Sequence, residues 1–122
     1  MRVPELNQPI LEIRRGRPEL KGAGEMPVYV IAQLRFVDRE RYNRYALRFI
    51  DVFNQFKGKL LAADESPILL EGIWPPHKVV IIEFPDEASV KEFRDSPEYQ
   101  EIATDRKAGA DSVILSVRSA VF

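Results

Sequence analysis

The spacing of apolar residues changes several times along this chain, and each change marks an element of secondary structure. Four segments rich in β-branched and aromatic residues are predicted to be strands: residues 28–37, 59–64, 78–84 and 113–122. The second strand is predicted to break near Ser66 and Pro67 and to resume at residues 68–72. Between the strands, apolar side chains recur three and four positions apart, which indicates helices.

The longer helix follows the first strand, with Asp38 as its predicted N-cap. One apolar stripe runs along it: Tyr42, Tyr45, Ala46, Phe49, Ile50, Phe53 and Phe56. The second helical region covers residues 86–109. Ser96 followed by Pro97 is typical of a helix start, so this region is predicted to be kinked or split there.

The order of elements is strand, helix, strand, strand, helical region, strand, which is the split pattern of ferredoxin-like folds. We therefore predict an α+β protein with one antiparallel sheet. Strand one lies between strands three and four, and the helices cover one face. Residues 1–26 contain three prolines and three glycines and are predicted to be an irregular arm, whereas residues 27–122 form the domain.

Alternation along the strands predicts which side chains face the helices. On strands three and four these are Val80, Ile82, Phe84, Val113, Leu115 and Val117. The opposite face, called here the open face, is predicted to carry four aliphatic residues among polar ones: Ile31, Val79, Ile81 and Ile114. So much exposed apolar surface usually marks a partner, and the chain has no second sheet to cover it. We therefore predict a homodimer that pairs sheet against sheet.

Polar residues at the ends of this sheet are the first candidates for a site. Antiparallel order is predicted to bring Tyr29, Glu83 and Arg118 together at one end of the open face, with Arg35 at the other end. Two interpretations remain open for them. They form an ion pair that fixes the register of the dimer, or they anchor a small acidic or aromatic molecule in an apolar cleft.

Two further candidates lie in the segment between strands two and three, which holds the only tryptophan and the only histidine of the chain. Trp74 is interpreted as an anchor in a proline-stiffened turn and His77 as an exposed loop residue; the alternative is a ligand site. Tyr99, like Tyr42 and Tyr45, has the spacing of a core residue. The alternative role of these three tyrosines is to line a pocket between the helices and the sheet.

Composition limits the partners of this 122-residue chain. Eighteen basic and nineteen acidic residues give a net charge of -1, which provides no general attraction to nucleic acid or to an anionic membrane. Cysteine is absent, which excludes disulfides and thiolate metal sites. No apolar run reaches the roughly 20 residues of a membrane helix. We expect a cytoplasmic protein with no nucleic-acid or membrane partner and no metal site.

Several short motifs together resemble the domain-of-unknown-function family thirteen-thirty. They are GIWPP, a strand ending in EFP, then SPEYQ, and finally ADSVILSV. The resemblance covers about residues 27–118 and implies a ferredoxin-like subunit of the dimeric α/β-barrel superfamily. That superfamily includes cofactor-free monooxygenases, muconolactone-type isomerases, haem-using chlorite dismutases and small-ligand regulatory domains, and fold alone does not choose among them.

The sequence therefore predicts a homodimer that binds a small organic molecule in a cleft and acts on it, if at all, without a cofactor. An enzyme of this kind would resemble a cofactor-independent monooxygenase or an isomerase, and no catalytic residue is assigned. The alternative is a structural or regulatory dimer whose interface is fully packed. Haem binding is a further alternative.

Overall fold

The computed structural model describes residues 26–75 and 77–120, and the predicted N-terminal arm lies almost entirely outside them. The elements are β1 (Val28–Phe36), α1 (Arg39–Phe53), β2 (Lys59–Asp64), β3 (Lys78–Phe84), α2 (Glu87–Asp95), α3 (Pro97–Gly109) and β4 (Ala110–Arg118). The strands form one antiparallel sheet in the order β2-β3-β1-β4. The predicted α+β class, the sheet order and the central position of β1 are confirmed.

Capping residues set where the helices begin, as the sequence predicts. The carboxylate of Asp38 accepts a hydrogen bond from the backbone N–H of Arg41 at the start of α1. The hydroxyl oxygen of Ser96 accepts one from the backbone N–H of Tyr99, and the same hydroxyl donates to the carbonyl of Phe93. Ser96 thus ends α2 and begins α3, so the second helical region is split into two helices.

The core lies between the helices and one face of the sheet, and its centre is an aromatic cluster around Phe93. The ring centroid of Phe93 lies 4.5–6.3 Å from those of five other aromatic residues: Phe49, Phe53, Phe56, Phe84 and Tyr99. Edge-to-face and tilted pairs at these distances add to the free energy of burying the rings. This cluster joins all three helices to β3.

Gly109 fixes how the end of α3 meets the start of α1. Its carbonyl accepts hydrogen bonds from the backbone N–H groups of Val37 and Asp38, at 2.8 and 3.0 Å. A Cβ at this position would lie 2.4 Å from the backbone nitrogen of Tyr42, which is closer than any real contact. Only glycine permits this approach without a shift of the backbone.

The prediction of which β4 side chains face the helices is wrong, because the alternation along the strand is shifted by one residue. Ala110 continues directly from α3, is buried beneath the helices and pairs with Phe36 of β1. Counting in steps of two from Ala110 places Ile114 and Arg118 on the helix-facing side. Three apolar residues therefore lie on the open face instead: Val113, Leu115 and Val117. The open face is more apolar than the sequence analysis predicted.

The prediction that the second strand resumes at residues 68–72 is wrong as well, because these residues form neither strand nor helix. The pairing of β2 with β3 ends where Asp64 lies opposite Val79, so the following residues have no strand beside them. The described residues of this connection between β2 and β3, 65–75 and 77, form a long loop. No helix in the described segments has both the length and the apolar character needed to cross a membrane.

Candidate functional site

A cavity of about 150 Å³ lies between the helices and the helix-facing side of the sheet. Its mouth is formed by exposed residues on two elements, Ala46 and Ile50 on α1 and Leu60 and Ala63 on the edge strand β2. Its inner end is formed by side chains that are almost completely buried: Tyr45, Tyr99 and Arg106. The cavity is therefore a pocket that opens beside β2 and ends beneath α3.

Apolar and aromatic side chains make up most of the pocket wall. The sheet contributes Val30, Ala32, Leu34, Val80, Ile82, Phe84 and Ile114, and the helices contribute Tyr42, Phe49 and Phe93. A pocket with such a wall and a few polar groups is typical of small-molecule sites.

Four side chains, three of which line the pocket, form a hydrogen-bonded network at its inner end. The Nε–H of Arg106 donates to the hydroxyl oxygen of Tyr99 at 3.2 Å, and a second N–H of Arg106 donates to the hydroxyl oxygen of Ser112 at 3.1 Å. The hydroxyl groups of Tyr99 and Tyr45 are 3.2 Å apart and share a hydrogen bond. The two tyrosines and the arginine therefore form one connected network at the inner end.

Arg106 is a buried cation, with 5% of its surface exposed. No ion pair within residues 26–75 and 77–120 includes it, although six ion pairs occur there. Burying a charge without a counter-charge is costly unless hydrogen bonds compensate. The hydroxyl groups of Tyr99 and Ser112 supply part of that compensation.

The charge of the pocket wall is entirely positive. Lys78, Arg94 and Arg106 line the pocket, and no aspartate or glutamate does so among the described residues. The ammonium of Lys78 lies 5.0 Å from the centroid of the Tyr42 ring, in the range of a cation–π contact. The pocket thus favours a ligand with negative charge or with hydrogen-bond acceptors.

Burial raises the pKa of Tyr45 well above its usual value of 10.0, and the neighbouring Tyr99 adds to this effect. The positive charge of Arg106 acts in the opposite direction but does not reverse the shift. The hydroxyl of Tyr45 therefore stays protonated at neutral pH, where it acts as a hydrogen-bond donor and not as a base.

The predicted cluster of Tyr29, Glu83 and Arg118 does not form. Tyr29 and Glu83 lie directly opposite each other on the open face, as predicted. Arg118 pairs with Val28 and lies on the other side of the sheet, because β4 has the opposite facing from the one assumed. At the far end of the open face, Arg35 forms an ion pair with Asp111.

Trp74 and His77 lie at the edge of the open face and not in the pocket. The Nδ1 of His77 is 2.5 Å from the side-chain nitrogen of Gln33, and the rings of Trp74 and His77 are 6.0 Å apart. His77 is half-buried, so its interpretation as an exposed residue is wrong. The indole N–H of Trp74 is buried and has no hydrogen-bond partner in the described part of the chain.

Tyr99 alone among the seven candidate residues lines the pocket. The sequence analysis missed Arg106, although the pattern contained a signal. Tyr99, Ile102, Ala103 and Arg106 follow each other at helical spacing and are all buried on one stripe of α3. An arginine inside an apolar stripe needs a buried partner or ligand, and that requirement marks it as a candidate.

Among the residues that the structure describes, no group of three or more histidine, aspartate or glutamate side chains is arranged to hold a metal ion.

The sequence model of the family described as "Domain of unknown function (DUF1330)" matches residues 27–120. The chain belongs to the DUF1330 family. Among curated proteins, none matches this sequence.

Solved structures with the same fold include proteins with and without a described activity. A protein of unknown function from Rhodopseudomonas palustris is 22% identical, with a TM-score of 0.66 over 93% of each chain. SnoaB from Streptomyces nogalater, a cofactor-independent oxygenase, is 14% identical, with a TM-score of 0.56 over 81% of this chain and 97% of its own. A dimeric ferredoxin-like protein of unknown function from Thermobifida fusca is 13% identical, with a TM-score of 0.57 over 79% and 93%. At these identities the likeness establishes the fold alone.

The raised pKa of Tyr45 in this DUF1330 protein predicts a loss of stability in alkali. Above pH ~10 the unfolded chain releases the Tyr45 proton while the folded chain retains it, so stability falls as pH rises. This one residue contributes a slope of up to about 1.4 kcal/mol per pH unit. Urea unfolding of the wild type and of Tyr45→Phe, at one protein concentration from pH 7 to pH 11, measures the difference. We expect the variant to have the shallower slope, and parallel curves would contradict the assignment.

Proposed function

We propose that the protein is a cytoplasmic homodimer in which each subunit binds a small organic molecule in its helix–sheet pocket. The observation that carries this proposal is the buried Arg106, which forms no ion pair with any described residue, at the inner end of an aromatic-lined pocket. A cavity of about 150 Å³ with apolar walls is large enough to bind one aromatic ring. The pocket therefore fits a single-ring aromatic compound or an aliphatic one of similar size.

The open face supports the dimer. Val113 and Leu115 are each 55% exposed there, and Val117 lies beside them on β4. Ile31 and Ile81 pair across β1 and β3 and continue the same apolar surface. At ~25 cal/mol per Å² of apolar area removed from water, covering these side chains contributes several kcal/mol. A second copy of the same sheet supplies that cover with matching shape and composition.

The loop between β2 and β3, described at residues 65–75 and 77, enlarges the apolar surface beside this face. Ile68, Leu70 and Ile73 are nearly fully exposed on it, Ile73 to 99%. The contact between His77 and Gln33 holds the end of the loop against the open face. We infer that the loop packs on the partner subunit and that Tyr29 and Glu83 help to set the register of the two sheets.

If the protein is an enzyme, we propose that it acts on the molecule bound in the pocket without a cofactor. Fixed hydrogen-bond donors in a water-poor site stabilise negative charge that develops on a substrate. Arg106 and Tyr45 are donors of this kind. SnoaB, which shares the fold, is a cofactor-independent oxygenase. The alternative is a structural or regulatory dimer without a ligand, and the pocket favours the ligand-binding protein.

We predict that single-ring aromatic compounds raise the melting temperature of the protein, because a ligand that binds only the folded state stabilises it. A thermal-shift screen of aromatic acids, phenols and neutral aromatics measures the effect. Ala46→Phe places a ring in the mouth of the pocket and is expected to abolish the stabilisation. Leu47→Phe, at the next position and outside the pocket, is the matched control. A screen with no stabilising compound would instead support the structural or regulatory dimer.

We also predict that Leu115→Lys converts the dimer to a monomer, because it buries an ammonium group in an apolar interface. Leu47→Lys changes a leucine that is 81% exposed on α1, away from the open face, and is expected to leave the dimer intact. Light scattering after size-exclusion chromatography gives the mass of each variant. Equal masses for wild type and Leu115→Lys would place the interface elsewhere.

A further inference from the structure

We propose that the inner end of the pocket is a carboxylate-binding subsite, so that the ligand is a small aromatic carboxylic acid bound as its anion. In this arrangement the guanidinium of Arg106 and the hydroxyl of Tyr45 hold the carboxylate, and the ring lies among the apolar side chains toward the mouth. This inference rests on the proposed function, because it concerns the same pocket and names the class of its ligand.

The unused hydrogen-bonding capacity of Arg106 is the first support. A guanidinium carries five N–H donors. Two of them bond to the hydroxyl oxygens of Tyr99 and Ser112, and the other three have no acceptor within the described segments. A buried cation with free donors and no counter-charge is the arrangement that gains most from an added carboxylate.

The hydroxyl chain that ends at Tyr45 is the second support. The hydroxyl groups of Tyr99 and Tyr45 are 3.2 Å apart, and either of them is able to donate to the other. When Tyr99 donates to the Tyr45 oxygen, the O–H of Tyr45 is free to donate to a ligand in the pocket, which Tyr45 lines. Burial keeps this hydroxyl protonated by raising its pKa. The inner end therefore presents donors from two side chains and requires an acceptor.

The shape and charge of the site favour a carboxylate over a larger anion. A single planar guanidinium matches the two oxygens of a carboxylate, whereas a phosphate normally requires several more donors. A volume of about 150 Å³ with largely apolar walls leaves room for one ring beside that small group. Lys78 and Arg94 line the same pocket and add positive charge that attracts an anion.

Benzoate and benzamide are matched probes for this subsite, because they have the same ring and nearly the same shape but differ in charge. Titration calorimetry on the full chain at neutral pH measures both affinities. A hydrogen bond between charged groups is stronger than one that involves a neutral acceptor. Benzoate is therefore expected to bind at least about tenfold more tightly than benzamide.

Arg106→Gln is expected to remove this preference while benzamide binding changes little. Arg48→Gln, an exposed arginine of α1 outside the pocket, is the matched control and keeps the preference.

Circular dichroism shows whether Arg106→Gln folds. If it does not, a second variant provides an independent test of the subsite. Tyr45→Phe removes the terminal donor but leaves both described hydrogen bonds of Arg106 intact, and it is expected to weaken benzoate severalfold more than benzamide. Equal affinities of the wild type for benzoate and benzamide would overturn the carboxylate subsite while leaving a ligand pocket in place. A preference that survives in a folded Arg106→Gln variant would also overturn it. If neither probe binds, this inference fails, and a blank thermal-shift screen decides whether the ligand pocket fails with it.

Discussion

The structure depends on one constraint: a four-stranded sheet that is apolar on both faces has helices on only one of them. The helix-facing side is covered by an aromatic core centred on Phe93. The other side leaves Val113 and Leu115 more than half exposed, next to a loop whose apolar residues are also in water. Exposed apolar area on this scale is the basis of the proposed homodimer, because a second copy of the same sheet is able to cover it.

The pocket has a different origin, namely the incomplete cover of the sheet at its β2 edge. The helices pack closely over the central strands, but β2 is exposed along its length, and the space beside it is open between Ala46 and Ala63. The pocket extends inward to Arg106, which lies on the buried stripe of α3. The proposed function therefore gives the two faces of the sheet separate roles, with the open face as the dimer interface and the helix-facing side as the ligand site.

Local signals in the sequence were sufficient to predict most of the fold. The caps at Asp38 and Ser96 act within four residues of chain, and the alternating or helical spacing of apolar residues sets each element. The facing of β4 could not be predicted in this way, because Val113, Ile114 and Leu115 are consecutive and either face would be apolar. Tertiary packing of Gly109 against α1 decides it. The pocket was predicted only as an alternative role for Tyr42, Tyr45 and Tyr99. Arg106 was missed because Ser112 of β4 and the pocket wall around it come close to it only in the fold.

The mass of the wild-type chain in solution tests the proposed homodimer most directly. Sedimentation equilibrium over a micromolar concentration series gives that mass without assumptions about shape. We expect twice the 14.0 kDa of one chain, with dissociation only on dilution. A mass of 14.0 kDa across the whole series would contradict it, because the apolar open face would then remain in water.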